Sequence, residues 1–180
     1  MKIAIITPCS RPQNLEAIKR SINIPCEWFI VYDTDEFVNN FSEEWIIELS
    51  TKGGIAGKKQ VNLALDHLTE EYWFYVLDDD NLLHPKFRKL YDLMKISSSI
   101  GGYIFGQDLG GGNNRIPTKN NIRVCHVDQA QYTLSMKLVK DKRYIQKYEA
   151  DGHFIEEIYH QHADEILVVH EILSFYNKLT

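Results

Sequence analysis

The chain has 180 residues, 44% of them hydrophobic and 25% charged, with a formal net charge of −5. That composition belongs to a folded globular protein, and its scattered lysines and arginines form no basic block of the kind that binds nucleic acid. No run approaches the roughly 18 apolar residues of a transmembrane segment, and the N-terminal apolar run breaks at Thr7-Pro8, short of a secretory signal. Three cysteines, an odd number without metal-ligand spacing, predict reduced thiols and a soluble cytoplasmic protein.

Short apolar runs alternate with helical periodicity, which predicts an α/β domain. Ile3 to Ile6 reads as a buried strand. Asn14 caps a helix whose Leu15, Ile18 and Ile22 share a face. Trp28 to Tyr32 and the shorter run Ile46 to Leu49 read as further strands. Gly57 to Leu68 is helical, with Val61, Ala64, Leu65 and Leu68 at i, i+3, i+4 and i+7. Trp73 to Leu77 is the most apolar strand, as expected for the middle of a parallel sheet. Pro85 suits the first turn of a helix striped by Phe87, Leu90, Tyr91 and Met94. Beyond residue 100, strands are predicted at Gly101 to Phe105, Ile122 to Val127 and Ile166 to Val169, and a helix at Asp151 to Gln161. Gly110-Gly111-Gly112-Asn113-Asn114 has the composition of a turn or mobile loop. One domain is expected, with a nucleotide-binding half over 1–95 and an acceptor-side half over 96–180.

The feature with most chemistry is Asp78-Asp79-Asp80, which ends the central strand. Ligands of open α/β sheets bind at the carboxyl ends of strands. Three adjacent carboxylates repel one another, and a divalent cation would relieve that repulsion; magnesium and manganese take one or two carboxylates plus substrate phosphate. Strand alternation places Asp78 and Asp80 on one side and Asp79 on the other. The loop Thr7-Pro8-Cys9-Ser10-Arg11-Pro12 precedes a helix start suited to an anion or a base edge. Asp33-Thr34-Asp35 follows the second strand, where an acid meets a base or ribose, or simply forms an Asx turn. Lys52 to Lys59 lacks P-loop spacing, because Gly53 and Gly57 are separated by three residues and Lys59 follows Lys58. It remains a loop carrying two cations, Lys58 and Lys59, to a helix start. Asp151 is either an N-cap or a general base. His170, in the last apolar strand, is a core or sheet-edge histidine or a metal ligand.

Together these residues resemble the GT-A fold of nucleotide-diphospho-sugar glycosyltransferases, a central, mostly parallel mixed sheet flanked by helices. Ile5-Ile6-Thr7-Pro8 with Ser10-Arg11-Pro12, then Val31-Tyr32-Asp33, Gly57 to Ala64 and Leu77 to Asn81, are similar to the inverting family-2 enzymes, in which the last pattern is the DxD-type motif. Val127 to Leu134 is similar to the acceptor-side motif of the glucuronyltransferase-like branch, although Gly is missing after Ala130. Asp151-Gly152-His153-Phe154 stands where that branch has its catalytic carboxylate, here Asp rather than Glu. The small size also resembles compact virus-encoded members, which would place the protein in a host cytoplasm. The resemblance implies that Thr7, Pro8, Arg11 and Asp33 meet the nucleoside, with Lys58 or Lys59 near the diphosphate. Asp78 or Asp79 would approach the ribose or sugar. Asp80 would be the principal ligand of Mn2+ or Mg2+, with Asp78 in support, and Asp151 the base of an inverting transfer. The implied donor is a UDP-sugar, and the acceptor a glycan or glycoprotein.

Two enzyme alternatives are weaker on sequence. A sugar-phosphate nucleotidyltransferase should have a glycine-rich loop after the first strand, where this chain has an arginine but no glycine. A haloacid-dehalogenase-type phosphatase should carry aspartates there, and none is present. A non-catalytic nucleotide-sugar or glycan-binding module is the alternative outside enzymes. Specificity is expected between Gly106 and Asn121.

Overall fold

The computed structural model describes residues 1–97 and 99–179. Its centre is an eight-stranded sheet. Four strands run parallel in the order β3 (Ile46–Ser50), β2 (Glu27–Tyr32), β1 (Lys2–Cys9), β4 (Tyr72–Val76). Next to β4 the direction reverses. β7 (Tyr132–Ser135) pairs antiparallel with β4, and β5 (Gly102–Gly110) pairs antiparallel with β7. β5 also carries the short β6 (Asn113–Arg115), antiparallel, and β8 (Ile166–Phe175), parallel. Strands from both ends of the chain therefore share one mixed, mostly parallel sheet flanked by helices, as the sequence predicts.

Alternation along the strands sends residues to two separate cores. Ala4 and Ile6 of β1, with Phe74 and Val76 of β4, face α2 (Lys58–Asp66), α4 (Met136–Val139) and α5 (Ala150–His162). Ile3, Ile5, Trp73 and Tyr75 face α1 (Leu15–Ser21) and α3 (Phe87–Ile96) on the other side. Every residue of β4 is buried, and its aromatic and β-branched run fits a strand covered by helices on both faces. Among the described residues, no helix is long and apolar enough to cross a membrane.

Several boundaries differ from expectation. Pro85 lies in the turn leading to α3 rather than within its first turn. Gly110 to Asn114 closes the β5–β6 hairpin: Gly111-Gly112 is the turn, Gly110 pairs with Asn113, and all three glycines take positive φ. Ile122 to Val127 forms no strand. Ile122 and Val127 are buried in the α2/α5 core, so the apolar run plugs that core from a loop. This loop passes so close to α5 that a Cβ on Gly152 would lie 2.7 Å from the Val124 Cα, and Cys125 takes φ +65. The neighbouring strand is Tyr132–Ser135 instead, entered through a capping box in which Asp128 accepts the Ala130 N–H.

Candidate active site

A cleft of about 710 Å³ opens at the carboxyl ends of β1, β2 and β4. The loop after β1, Asp33, the start of α2, the three aspartates after β4, the Arg115 and Asp128 segments and the start of α5 all reach it. Seven carboxylates and three cationic side chains line its wall. Convergence of the loops after β1, β2 and β4 follows from parallel topology, which puts the carboxyl ends of these strands at one end of the sheet.

The three adjacent aspartates separate into different jobs. The chain leaves the strand and turns at Asp79, so simple alternation fails there. The buried Asp79 carboxylate holds the β1 loop. Its Oδ2 accepts the Ser10 N–H (2.6 Å), the Arg11 N–H (2.6 Å) and the Ser10 hydroxyl (3.0 Å). Its Oδ1 accepts the Arg11 Nε–H (2.9 Å) and forms an ion pair with Arg11 Nη2 (2.8 Å). Asn14 takes the expected N-cap position of α1, but its side chain makes no bond to the helix and donates its amide to the Asp79 carbonyl (2.8 Å). Both Asp79 oxygens already accept hydrogen bonds from the β1 loop, whereas Asp78, the other candidate for the ribose or sugar, makes none to that loop. Arg11 also reaches Asp80 Oδ2 (2.8 Å), and Asp80 Oδ1 has no hydrogen bond among the described residues.

Asp78 points the other way, toward the second half of the chain. Its Oδ1 accepts the Gln129 side-chain amide (2.5 Å), and Gln129 Oε1 accepts from the buried Lys58 ammonium (2.7 Å). Burial first, then the nearby negative charge of Asp128, pushes the Asp78 carboxyl up to about 7, with Lys58 opposing the shift. Burial raises Asp128 as well, and Asp151 adds to that, while its bond from the Ala130 N–H and the charges of Arg115 and Lys58 act against it. The floor of the cleft therefore holds more negative charge than its cations offset. Among the described residues, no three His, Cys, Asp or Glu side chains form a ready-made metal cage.

Asp151 sits in the first turn of α5, one residue past the start, with Glu149 as the cap; it lines the cleft and is half-buried. Asp33 lines the opposite wall, its Oδ1 accepting the Gly53 N–H (2.7 Å) and the Gln60 amide (3.3 Å). Pro8 packs against Gly57, whose φ of +72 and lack of Cβ are both required. A Cβ there would stand 2.7 Å from the Pro8 Cβ.

Three expected contacts are not made. Thr7 is fully buried beneath the cleft, its hydroxyl accepting the Trp28 indole N–H (2.9 Å), because β1 alternation turns it into the α1/α3 side. Lys59 is exposed and folds back to the Lys52 carbonyl (2.7 Å), since residues adjacent on a helix face different ways. His170 is exposed in a β8 bulge, where pairing with β5 jumps from Val169 to Ile172, and it does not line the cleft. Conversely, Arg115, Tyr148 and Tyr176 belong to the cleft and were not picked out from the sequence, while Asp128 and Gln129, within the acceptor-side motif, line it without having been given individual roles. For Asp128 a signal existed: Asp128-x-x-Gln131 has capping-box spacing and marks the start of a turn, not a strand.

No protein-family model and no curated protein sequence matches the chain. Solved structures do. S. aureus TarS 1-349 matches with a TM-score of 0.68 at 12% identity, over 98% of this chain and 60% of that one. TarS 1-349 in complex with UDP-GlcNAc matches at 0.63 and 13% identity, over 98% and 58%. The CMP:2-keto-3-deoxy-manno-octonic acid synthetase complexed with CTP matches at 0.55 and 8% identity, over 97% and 91%. The fold is that of the GT-A and nucleotidyltransferase class. Within this GT-A-type frame, the chain spans less than two thirds of the TarS structures it matches.

Proposed function

We propose that the protein is a glycosyltransferase that moves a sugar from a nucleoside-diphosphate donor, a UDP-sugar, to a hydroxyl acceptor with inversion. The observation that carries this reading is convergence. The β4 loop brings Asp78 and Asp80, and the first turn of α5 brings Asp151, to one cleft from segments some seventy residues apart. The GT-A-type likeness to a protein crystallised with UDP-GlcNAc supports the donor class.

In this reading Asp33 and the β1 loop receive the nucleoside, and Asp79 keeps that loop in place through Ser10 and Arg11. Lys58, buried beneath Gln129, offsets part of the acid charge. A divalent cation, Mn2+ or Mg2+, fits the donor set: Asp80 and Asp78 each keep a carboxylate oxygen without a hydrogen bond, and their surroundings are short of positive charge. Bound there, it would offset negative charge on the departing diphosphate. Asp151 accepts the proton of the acceptor hydroxyl as its oxygen bonds to the anomeric carbon and the bond to the diphosphate breaks.

The test is thermal unfolding with UDP, UDP-sugars and CTP, with and without manganese, followed by product analysis. A ligand that binds only the folded state raises the melting temperature. The expected result is a manganese-dependent shift by UDP-sugars and a slow release of UDP that Asp80→Ala abolishes. Pyrophosphate release from CTP and a sugar phosphate would favour nucleotidyl transfer, the reading to which the likeness to the CTP-bound synthetase points. Donor binding without turnover would favour a binding module. If no nucleotide shifts the transition, the proposal fails.

A further inference from the structure

Two tyrosines at the mouth of the cleft are unused by the chemistry above. Tyr148 is 77% exposed, Tyr176 is 41% exposed, and both line the cleft. Tyr148 has no hydrogen bond or ring contact among the described residues, although it stands directly before Glu149, the cap of α5, in the turn that leads to Asp151. Tyr176 follows β8. Its backbone N–H donates to the Asp108 carbonyl (2.9 Å), and the Arg115 guanidinium lies 5.9 Å from its ring centre. The segments that carry them pack on opposite faces of the sheet. α5 packs on the core that holds Phe74, whereas Leu179, just beyond Tyr176, packs on the core that holds Phe87.

One exposed aromatic ring is ordinary. Two that flank a polar cleft beside a candidate base offer apolar platforms with polar edges, which suits a ligand that is itself apolar on its faces and polar at its rim. A sugar ring has that character. Charge narrows the choice further. This half of the cleft holds Asp128, Glu149 and Asp151 against the buried Lys58, which is bonded to Gln129, and Arg115, whose guanidinium already meets Tyr176 and the Gln131 side-chain oxygen (3.5 Å). A phosphate, sulfate or carboxylate on the incoming molecule would meet like charge there.

We propose that Tyr148 and Tyr176 form the acceptor subsite and that it takes a neutral carbohydrate, whose ring face lies on a tyrosine while a hydroxyl turns to Asp151. This assignment rests on the sugar-transfer reading and specifies its acceptor class. The test begins with the UDP-induced melting shift of the wild-type protein. UDP-saturated protein is then applied to an array of neutral glycans, glycans bearing sulfate, phosphate or sialic acid, and basic peptides. Hits are titrated by calorimetry against wild type, Tyr148→Ala, Tyr148→Phe, Tyr176→Ala and Tyr176→Phe, each checked for a wild-type melting transition. Neutral glycans should bind, each alanine should weaken them about tenfold, and each phenylalanine, which keeps the ring, should stay within about threefold. Binding confined to anionic glycans or basic peptides, no glycan binding, or alanine variants that bind like wild type would each overturn the assignment. An absent UDP shift removes the sugar-transfer reading itself, whereas UDP binding without neutral-glycan binding removes only the acceptor assignment.

Discussion

Replacing Asp79 by alanine separates holding a loop from chemistry within one run of three acids. Its side chain is 4% exposed, and it accepts two backbone N–H groups, one hydroxyl and a two-pronged guanidinium. Removing it leaves those two N–H groups and the hydroxyl without their acceptor, at about 1–3 kcal/mol for each group left unsatisfied, or about 3–5 kcal/mol together. For a chain of this size each kcal/mol lowers the melting temperature by about 2–4 °C, so Asp79→Ala should melt about 10 °C below wild type. Asp80 makes a single contact to Arg11, whose side chain is 40% exposed and which keeps its bonds to Asp79. Its removal should therefore cost less than about 1 kcal/mol, or about 3 °C at most. The assay is thermal unfolding followed by circular dichroism, without nucleotide or metal. An Asp79→Ala transition within about 3 °C of wild type, or an Asp80→Ala loss as large, would refute the division of roles.

Asp78→Asn should stabilise the unliganded protein at about pH 8. The folded carboxyl titrates at about 7 against about 4 when unfolded, so the folded state holds a proton that the unfolded state has released, and stability falls as pH rises through that window by up to about 1.4 kcal/mol per pH unit. The advantage of the variant should vanish near about pH 4; denaturant titrations that find it less stable than wild type at the higher pH contradict the shift. Asp151→Asn should lower the turnover of transfer about 10²–10⁴-fold with the melting shift by UDP-sugar retained, and a rate within a few-fold of wild type would remove Asp151 as the base. Gly57→Ala combines a left-handed φ with a 2.7 Å approach to Pro8 and should cost about 1–3 kcal/mol, read as a lower urea midpoint.

The first half of the fold was readable because its central strands are buried and its helices carry clear stripes: Trp73 to Val76 alternate between the two cores, and Phe87, Leu90, Tyr91 and Met94 face one of them. The second half was harder, because burial and strand formation part company there. Ile122 and Val127 are as apolar as a strand requires, yet they are core-filling residues of a loop whose Val124 lies against Gly152. In the site, residue type and place along the chain identified the acids but not their directions. Asp79 turns to Arg11 because the chain leaves the sheet there, and Lys58 and Lys59 diverge because adjacent helical positions do. Asp128 and Arg115 contribute through antiparallel strands on the far side of β4, a juxtaposition that exists only once the sheet has assembled.

The end of the described chain has a practical consequence. The Leu179 N–H donates to the Asp80 carbonyl (2.7 Å) and the Lys178 N–H to the Asn81 side chain (3.2 Å), so the segment after β8 is stitched to the loop of acids. A purification tag or fluorescent fusion joined just beyond it would emerge beside the cleft and pull on those stitches. Met1 is exposed at the opposite end of β1, whose 8 residues put roughly 25 Å between the two places. Labels for binding measurements belong there.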